Sequence, residues 1–215
     1  MDSGKVFAYI EGLYEKRQWT QKIYAQAVDL EDFGETVDDD VARMLQVLAT
    51  LTGPQKILEI GTSIGFSTVS MAKAIEKHGG RILTIEIDAE VAGQAMKNFE
   101  RDGVKDRIEV RVGDARKIVS GLDEEFDFIF QDVGEKKLYA EMLDDCVRLL
   151  KPGGLLVAED TLFPVADFGP EFADFARSCR SLDVFNRSVA GHPQLESTLL
   201  PIGDGLTVAV KKRQL

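Results

Sequence analysis

Residues 56–67, KILEIGTSIGFS, restrict the chain more than any other stretch. A short apolar run passes through two glycines into a helix-like segment over 68–75, which reads as strand, tight turn and helix. The glycines let the backbone reverse without a Cβ clash and bring bare amides toward a ligand. Glu59 falls at the strand end, where open α/β sheets bind small molecules.

A dinucleotide fingerprint requires G-x-G-x-x-G. Here the spacing is Gly61-x-Ser63-x-Gly65, so serine replaces the glycine that admits a pyrophosphate. S-adenosylmethionine (SAM) has no pyrophosphate and does not need that glycine. The plainer alternative is a loop that only turns a strand into a helix. The next apolar run, 81–88, ends in acids, and Glu86 follows Gly65 by 21 positions. That is close to the roughly 20 expected between a glycine turn and a ribose-binding carboxylate. Glu86 is expected to hold a ribose and Asp88 to cap the following helix.

At 215 residues the chain suits one domain, 1–215, with a helical N-terminal segment over 1–52 and an α/β core over 53–215. The net charge of −11 argues against nonspecific binding to nucleic-acid phosphates. Cys146 and Cys179 lack metal spacing and read as reduced packing residues, so a cytoplasmic setting is expected. Neither a membrane span nor a secretion leader is visible.

Residues 2–51 carry helical spacing through Val6, Ile10, Leu13 and Tyr14, then Trp19, Ile23, Ala27 and Leu30. An acidic break covers 29–35. Asp38, Asp39 and Asp40 then start a helix whose apolar positions are Leu45, Leu48 and Leu51. After Gly53-Pro54, strands are expected over 57–60, 82–87, 108–112, 126–131 and 155–159. Helices are expected between them over 67–77, 89–102, 115–120 and 137–150. Such alternation implies a parallel sheet covered on both faces. The turn 151–154, Lys-Pro-Gly-Gly, stops a helix before a buried strand. Further on, 170–181 reads as helix and 184–189 and 206–210 as a hairpin-like pair of strands. His192, before a proline, and His78, beside two glycines, read as a surface residue and a helix-end residue.

Acids that core packing does not require end two strands. They are Asp132 on one side and Glu159-Asp160 on the other. As neighbouring strand ends these could converge beside the cofactor. Oxygen donors without clustered histidine or cysteine suit Mg²⁺ or Ca²⁺ rather than zinc. Alternatively, the acids only end strands in solvent or cap the next element of the chain. Asp114 can accept from an adenine amino group and can equally cap the helix that begins at Ala115.

In order along the chain, 58–67, 84–88, 113–115, 126–132, 150–154 and 199–205 resemble the cation-dependent class I O-methyltransferases, the family of caffeoyl-CoA and catechol O-methyltransferases. The resemblance runs from about Val41 to the C-terminus. It implies a Rossmann-like α/β sandwich whose mostly parallel seven-stranded sheet has an antiparallel last strand, with a helical N-terminal extension. It implies SAM contacts from Glu59, Gly61, Thr62, Ser63, Gly65 and Ser67, from Glu86 and Ile87 at the ribose, from Asp114 and Ala115 at the adenine, and from Asp132. It implies a divalent cation on Asp132 and the pair Glu159-Asp160, and a homodimer.

Two departures stand out. Glu159-Asp160 replaces the family's Asp-Asn, which is longer by one methylene and more anionic by one charge. The expected lysine three residues after the strand-four Asp comes one position late, making Lys136 the candidate base, with Lys137 as the alternative. The implied reaction is methyl transfer from SAM to a hydroxyl of a catechol-like or phenolic acceptor. Phe163 either walls the acceptor ring or packs the core. Two other readings remain open. One is transfer to a tRNA wobble hydroxyuridine, with Lys16-Arg17, Lys136-Lys137 and Lys211-Lys212-Arg213 as a basic rim; the other is SAM binding without catalysis.

Overall fold

Short β-branched runs separated by helices of alternating burial drive the central architecture of the computed structural model, which describes residues 3–16, 19–28, 30, 33 and 36–213. Three helices come first: α1 (Ser3–Tyr14), α2 (Gln21–Ala25) and α3 (Asp39–Thr52). The alternating core comes next as β1 (Lys56–Ile60), α4 (Phe66–Ile75), β2 (Arg81–Glu86), α5 (Ala89–Arg101), β3 (Ile108–Val112), α6 (Ala115–Ser120) and β4 (Phe126–Gln131). It continues through α7 (Leu138–Glu141), α8 (Leu143–Leu149) and β5 (Leu150–Ala158). The last elements are α9 (Ala173–Cys179), α10 (Ser181–Ala190), β6 (Leu195–Leu200) and β7 (Leu206–Lys211).

The sheet has seven strands in the order β3-β2-β1-β4-β5-β7-β6. The pairs from β3 to β5 are parallel, and β7 is antiparallel to both its neighbours. Successive strands are added to one side of β1 up to β3 and to the other side from β4 onward, and such sheets open a crevice at their carboxyl ends where the order switches.

Alternate residues of β1 feed two cores. Leu58 and Ile60 pack with Leu143, Cys146, Leu182 and Phe185 on one face, while Ile57 packs with Leu45, Phe66 and Val69 on the other. β1 and β4 are buried over most of their lengths, as strands covered on both faces are, although Glu59 interrupts the apolar run of β1 and Asp127 that of β4. Among the described residues no helix is long and apolar enough to cross a membrane.

The five core strands lie where the residue pattern puts them, with one extension. Leu150 and 151–154 belong to β5, where the ladder with β4 shifts register between Phe126 and Phe128. The expected helix over 137–150 breaks at Met142 into α7 and α8.

The segment 184–189 is not a strand. It lies in α10, which buries Leu182, Phe185 and Val189, a helical spacing that outweighs the β-branched Val184 and Val189. The hairpin does close the sheet, but its first strand is β6. Over 170–181 a 3-10 turn, Pro170–Phe172, leads into the shorter α9.

In α3 the buried face is Val41, Ala42, Leu45 and Ala49, and Leu51 is 76% exposed. Most of the acidic break over 29–35 and Arg17 lie outside the described residues. Both cysteines are free and buried, as expected of packing residues.

Candidate active site

The loop between β1 and α4 is shaped by its neighbours. Gly61 and Gly65 adopt φ of 103° and 89°, and Ser63 a φ of 48°. A Cβ on Gly65 would lie 2.3 Å from Phe99 Cε1 of α5. The Ile64 carbonyl accepts from Asn98 Nδ2 at 2.9 Å and from the Tyr24 hydroxyl at 3.2 Å, and Ser63 Oγ donates to the Phe33 carbonyl at 3.2 Å. Trp19 stacks on Phe66 with centroids 4.5 Å apart. The N-terminal segment is thus fastened over the glycine loop, a contact no local pattern announces.

Glu59 is 0% exposed, and its carboxylate accepts from Ser67 Oγ at 2.7 Å, Thr68 Oγ1 at 2.5 Å and Thr84 Oγ1 at 2.6 Å. It ties β1 to α4 and β2 beneath the loop. Burial outweighs the three hydroxyls and pushes its pKa up to about 7. A folded-state pKa above the unfolded value means stability is present below about pH 4.5 and is lost as pH rises to about 7. Glu59→Gln therefore flattens this part of the stability curve, removing a loss of about 3 kcal/mol. Thermal unfolding of both proteins from pH 4 to 8 checks this; parallel curves would contradict it.

The Glu86 carboxylate accepts from the backbone amides of Ser63 at 2.8 Å, Ile87 at 2.9 Å and Asp88 at 3.1 Å. Three amides fix it at the end of β2 and leave lone pairs for a diol. Ile87 beside it is 75% exposed and offers an apolar surface. Asp88 caps α5 through Glu90 N and Val91 N, the capping role expected of it. Asp114 caps α6 ahead of Ala115 and also pairs with Arg116, whose guanidinium holds its carboxyl below the usual range.

Parallel pairing of β4 with β5 sets Gln131 opposite Ala158, so the residues just beyond them come together. Glu159 N donates to Gln131 O at 3.1 Å. Asp132, Glu159 and Asp160 each present an oxygen, all within 4.8 Å of one another. Asp160 takes a φ of 65°, a strained conformation for a residue with a side chain.

Lys136 is 4% exposed and forms a buried ion pair with Asp160, while its ammonium also donates to Val133 O at 2.9 Å. Lys137 instead faces solvent and pairs with Glu135 at 2.6 Å. Of the two lysines, Lys136 is the one packed against Asp160. Burial and the nearby Asp160 push Asp132 up to about 7, and burial with the neighbouring carboxyls pushes Glu159 up to about 11. Three carboxylates around one ammonium leave negative charge that a proton or a cation must relieve. An all-oxygen donor set fits a hard divalent ion.

Contacts from other elements complete this site. The Tyr139 ring stands 5.5 Å from the Lys136 ammonium, one helical turn along the chain, a spacing that was readable. Phe163 lies 5.6 Å from the same ammonium and meets Phe168 and Phe175 edge-on. Gly203 is wedged so that a Cβ there would lie 2.5 Å from Val41 Cγ2 and 3.2 Å from Glu159 Oε1. Asp40 accepts from Gly203 N at 3.2 Å, joining α3 to the site through contacts far apart in sequence. A cleft of about 380 Å³, lined by Tyr14, Trp19, Arg43 and Phe66 among others, contains none of the cofactor or cation residues expected from the sequence.

Residues 12–212 match the model of a protein family described as O-methyltransferase. The catechol O-methyltransferase of Niastella koreensis is 39% identical over 131 residues, 59% of this chain and 58% of its own length. Caffeoyl-CoA O-methyltransferase 1 of Eucalyptus globulus is 31% identical over 182 residues, 80% of this chain and 73% of its own. The O-methyltransferase of Bacillus cereus, solved in complex with SAH, superposes with a TM-score of 0.79 at 26% identity and 97% coverage of each chain.

Proposed function

The chain belongs to the SAM-dependent class I O-methyltransferase family, and on that premise we propose that it methylates a hydroxyl of a catechol-like or phenolic acceptor with the help of Mg²⁺ or Ca²⁺. One observation carries this reading: the carboxylates of Asp132, Glu159 and Asp160 gather with Lys136 beside the glycine loop. Gly61 lies against the Asp132 carbonyl, so the cofactor loop and the cation ligands share a backbone contact.

When bound, SAM would supply an electrophilic methyl carbon, and a divalent cation held by Asp132, Glu159 and Asp160 would lower the pKa of the acceptor hydroxyl. Glu86, with Ile87 beside it, accepts from the ribose hydroxyls, and Asp114 and Ala115 line the adenine. Gly61, Thr62, Ser63, Gly65 and Ser67 border the amino-acid end, with Glu59 beneath them. Asp132, Glu159 and Asp160 offer oxygens to the cation, and two vicinal acceptor oxygens would fix the attack angle. Lys136 is the base in this reading: its ammonium first releases a proton to solvent, and the resulting amine takes that of the acceptor hydroxyl, while Phe163 sets a ring against the acceptor. Exposed Tyr9 and Leu13 of α1 and Val47 and Leu51 of α3 support a homodimer.

The basic groups favour a small acceptor over tRNA. Lys136 is buried, and the Lys211 ammonium is committed to the carbonyls of Val147 and Leu150, both at 2.7 Å. Labelled SAM offered to catechol, hydroxycinnamoyl thioesters and bulk tRNA, with Mg²⁺ or EDTA, tests the assignment. Label is expected in the diol only with Mg²⁺. Label in tRNA would move the acceptor class, and binding of SAM with no transfer to any diol would leave a SAM-binding protein.

A further inference from the structure

The two departures from the family pattern meet at one point in space. The late lysine, Lys136, and the unusual acid, Asp160, are ion-paired to each other. The Lys136 ammonium has three N–H directions. One goes to Val133 O at 2.9 Å and one to Asp160. No protein acceptor takes the third among the described residues, which leaves it for an acceptor hydroxyl. The rings of Tyr139 and Phe163, 5.5 and 5.6 Å from the nitrogen, close its surroundings. Asp160 reaches this position through a left-handed backbone, φ 65°, held between Gln131 O, which accepts from Glu159 N, and Gly205 O, which accepts from Thr161 N.

We propose that Asp160 is the positioning residue of Lys136, its charge committed to that ammonium, which leaves Asp132 and Glu159 as the carboxylates that carry the cation. The proposal rests on the cation reading above and divides the three acids by task. A buried carboxylate neutralised by an ammonium is a weaker ligand for a second cation. Removing Lys136 leaves Asp160 buried without its counterion, and removing Asp160 takes from the ammonium its direct ion-pair partner.

Asp160→Asn, Lys136→Met and the double variant test this in two ways. Asparagine accepts the left-handed conformation, so the first change alters charge without a backbone penalty. In EDTA each single variant is expected to lower Tm by roughly 10 °C, and the double variant by less than the two losses together. In calorimetry with Mg²⁺ alone, Asp160→Asn is expected to keep its affinity within about tenfold, while Asp132→Asn loses the binding heat. With catechol as acceptor, Asp160→Asn lowers kcat and leaves KM for SAM unchanged, and Lys136→Met adds no further loss in that background. Additive Tm losses would overturn the pairing. Loss of Mg²⁺ binding in Asp160→Asn as complete as in Asp132→Asn would overturn the division of the acids. A parent protein that binds no Mg²⁺ would remove the cation from the proposed function, while the thermal cycle would still decide the pairing.

Discussion

Asp132→Asn is expected to abolish methyl transfer, lowering turnover by roughly a thousandfold, while SAM still binds. Asp132 ends β4 with its backbone held by Ile60 O at 2.9 Å, so an isosteric amide keeps the loop in place. The change removes one of three convergent carboxylates and the charge that opposes a divalent ion. The pH dependence of the parent protein offers a second check. Asp132 is raised to about 7 and Glu159 to about 11, so both hold protons that a cation must displace. Mg²⁺ affinity should therefore rise as pH climbs through about 7, and binding should release protons. Calorimetry in two buffers of different ionisation enthalpy measures that release. Full turnover in EDTA, or in Asp132→Asn, would take the cation out of the reaction.

Gly61→Ala should leave little folded protein. Its Cβ would lie 1.7 Å from the carbonyl oxygen of Asp132 and 2.7 Å from the carbonyl carbon. These are backbone atoms and cannot rotate away. The φ of 103° is also closed to alanine. Gly61 N donates to Ile85 O at 3.0 Å, so the loop cannot retreat without breaking the junction of β1 with β2. The cost exceeds about 4 kcal/mol, a fall in Tm of roughly 10 °C or more. Gly93→Ala is the control. It lies inside α5 with nothing within 4 Å of the added carbon. Helix propensity alone should make it more stable by about 1 kcal/mol. A Gly61→Ala protein that melts with the parent would deny the close approach of the β1 and β4 ends. It would also undo the link between the glycine loop and the acid cluster.

Much of this site is legible in the sequence because its signals are local. A strand that ends in Glu59 and runs through Gly61 and Gly65 into a helix is a short-range pattern, and so are the caps Asp88 and Asp114. Local pattern fails where two periods compete. At 184–189 the β-branched residues suggest a strand, but Leu182, Phe185 and Val189 find a core only as a helix. In α3 the leucine spacing points to Leu51, yet the surface available to pack against selects Val41 and Ala49.

The order of elements from β1 to β5, the positions of the acids and the family follow from the sequence alone, because each depends on neighbours a few residues apart. Tertiary structure decided the features that depend on distant residues. It turned the Glu59 carboxylate inward onto Ser67, Thr68 and Thr84. It buried Lys136 beside Asp160 and left Lys137 in solvent. It also made Gly61 necessary to the packing of Asp132. Side-chain direction and burial are set by the whole set of contacts around a residue, and no spacing along one strand encodes them.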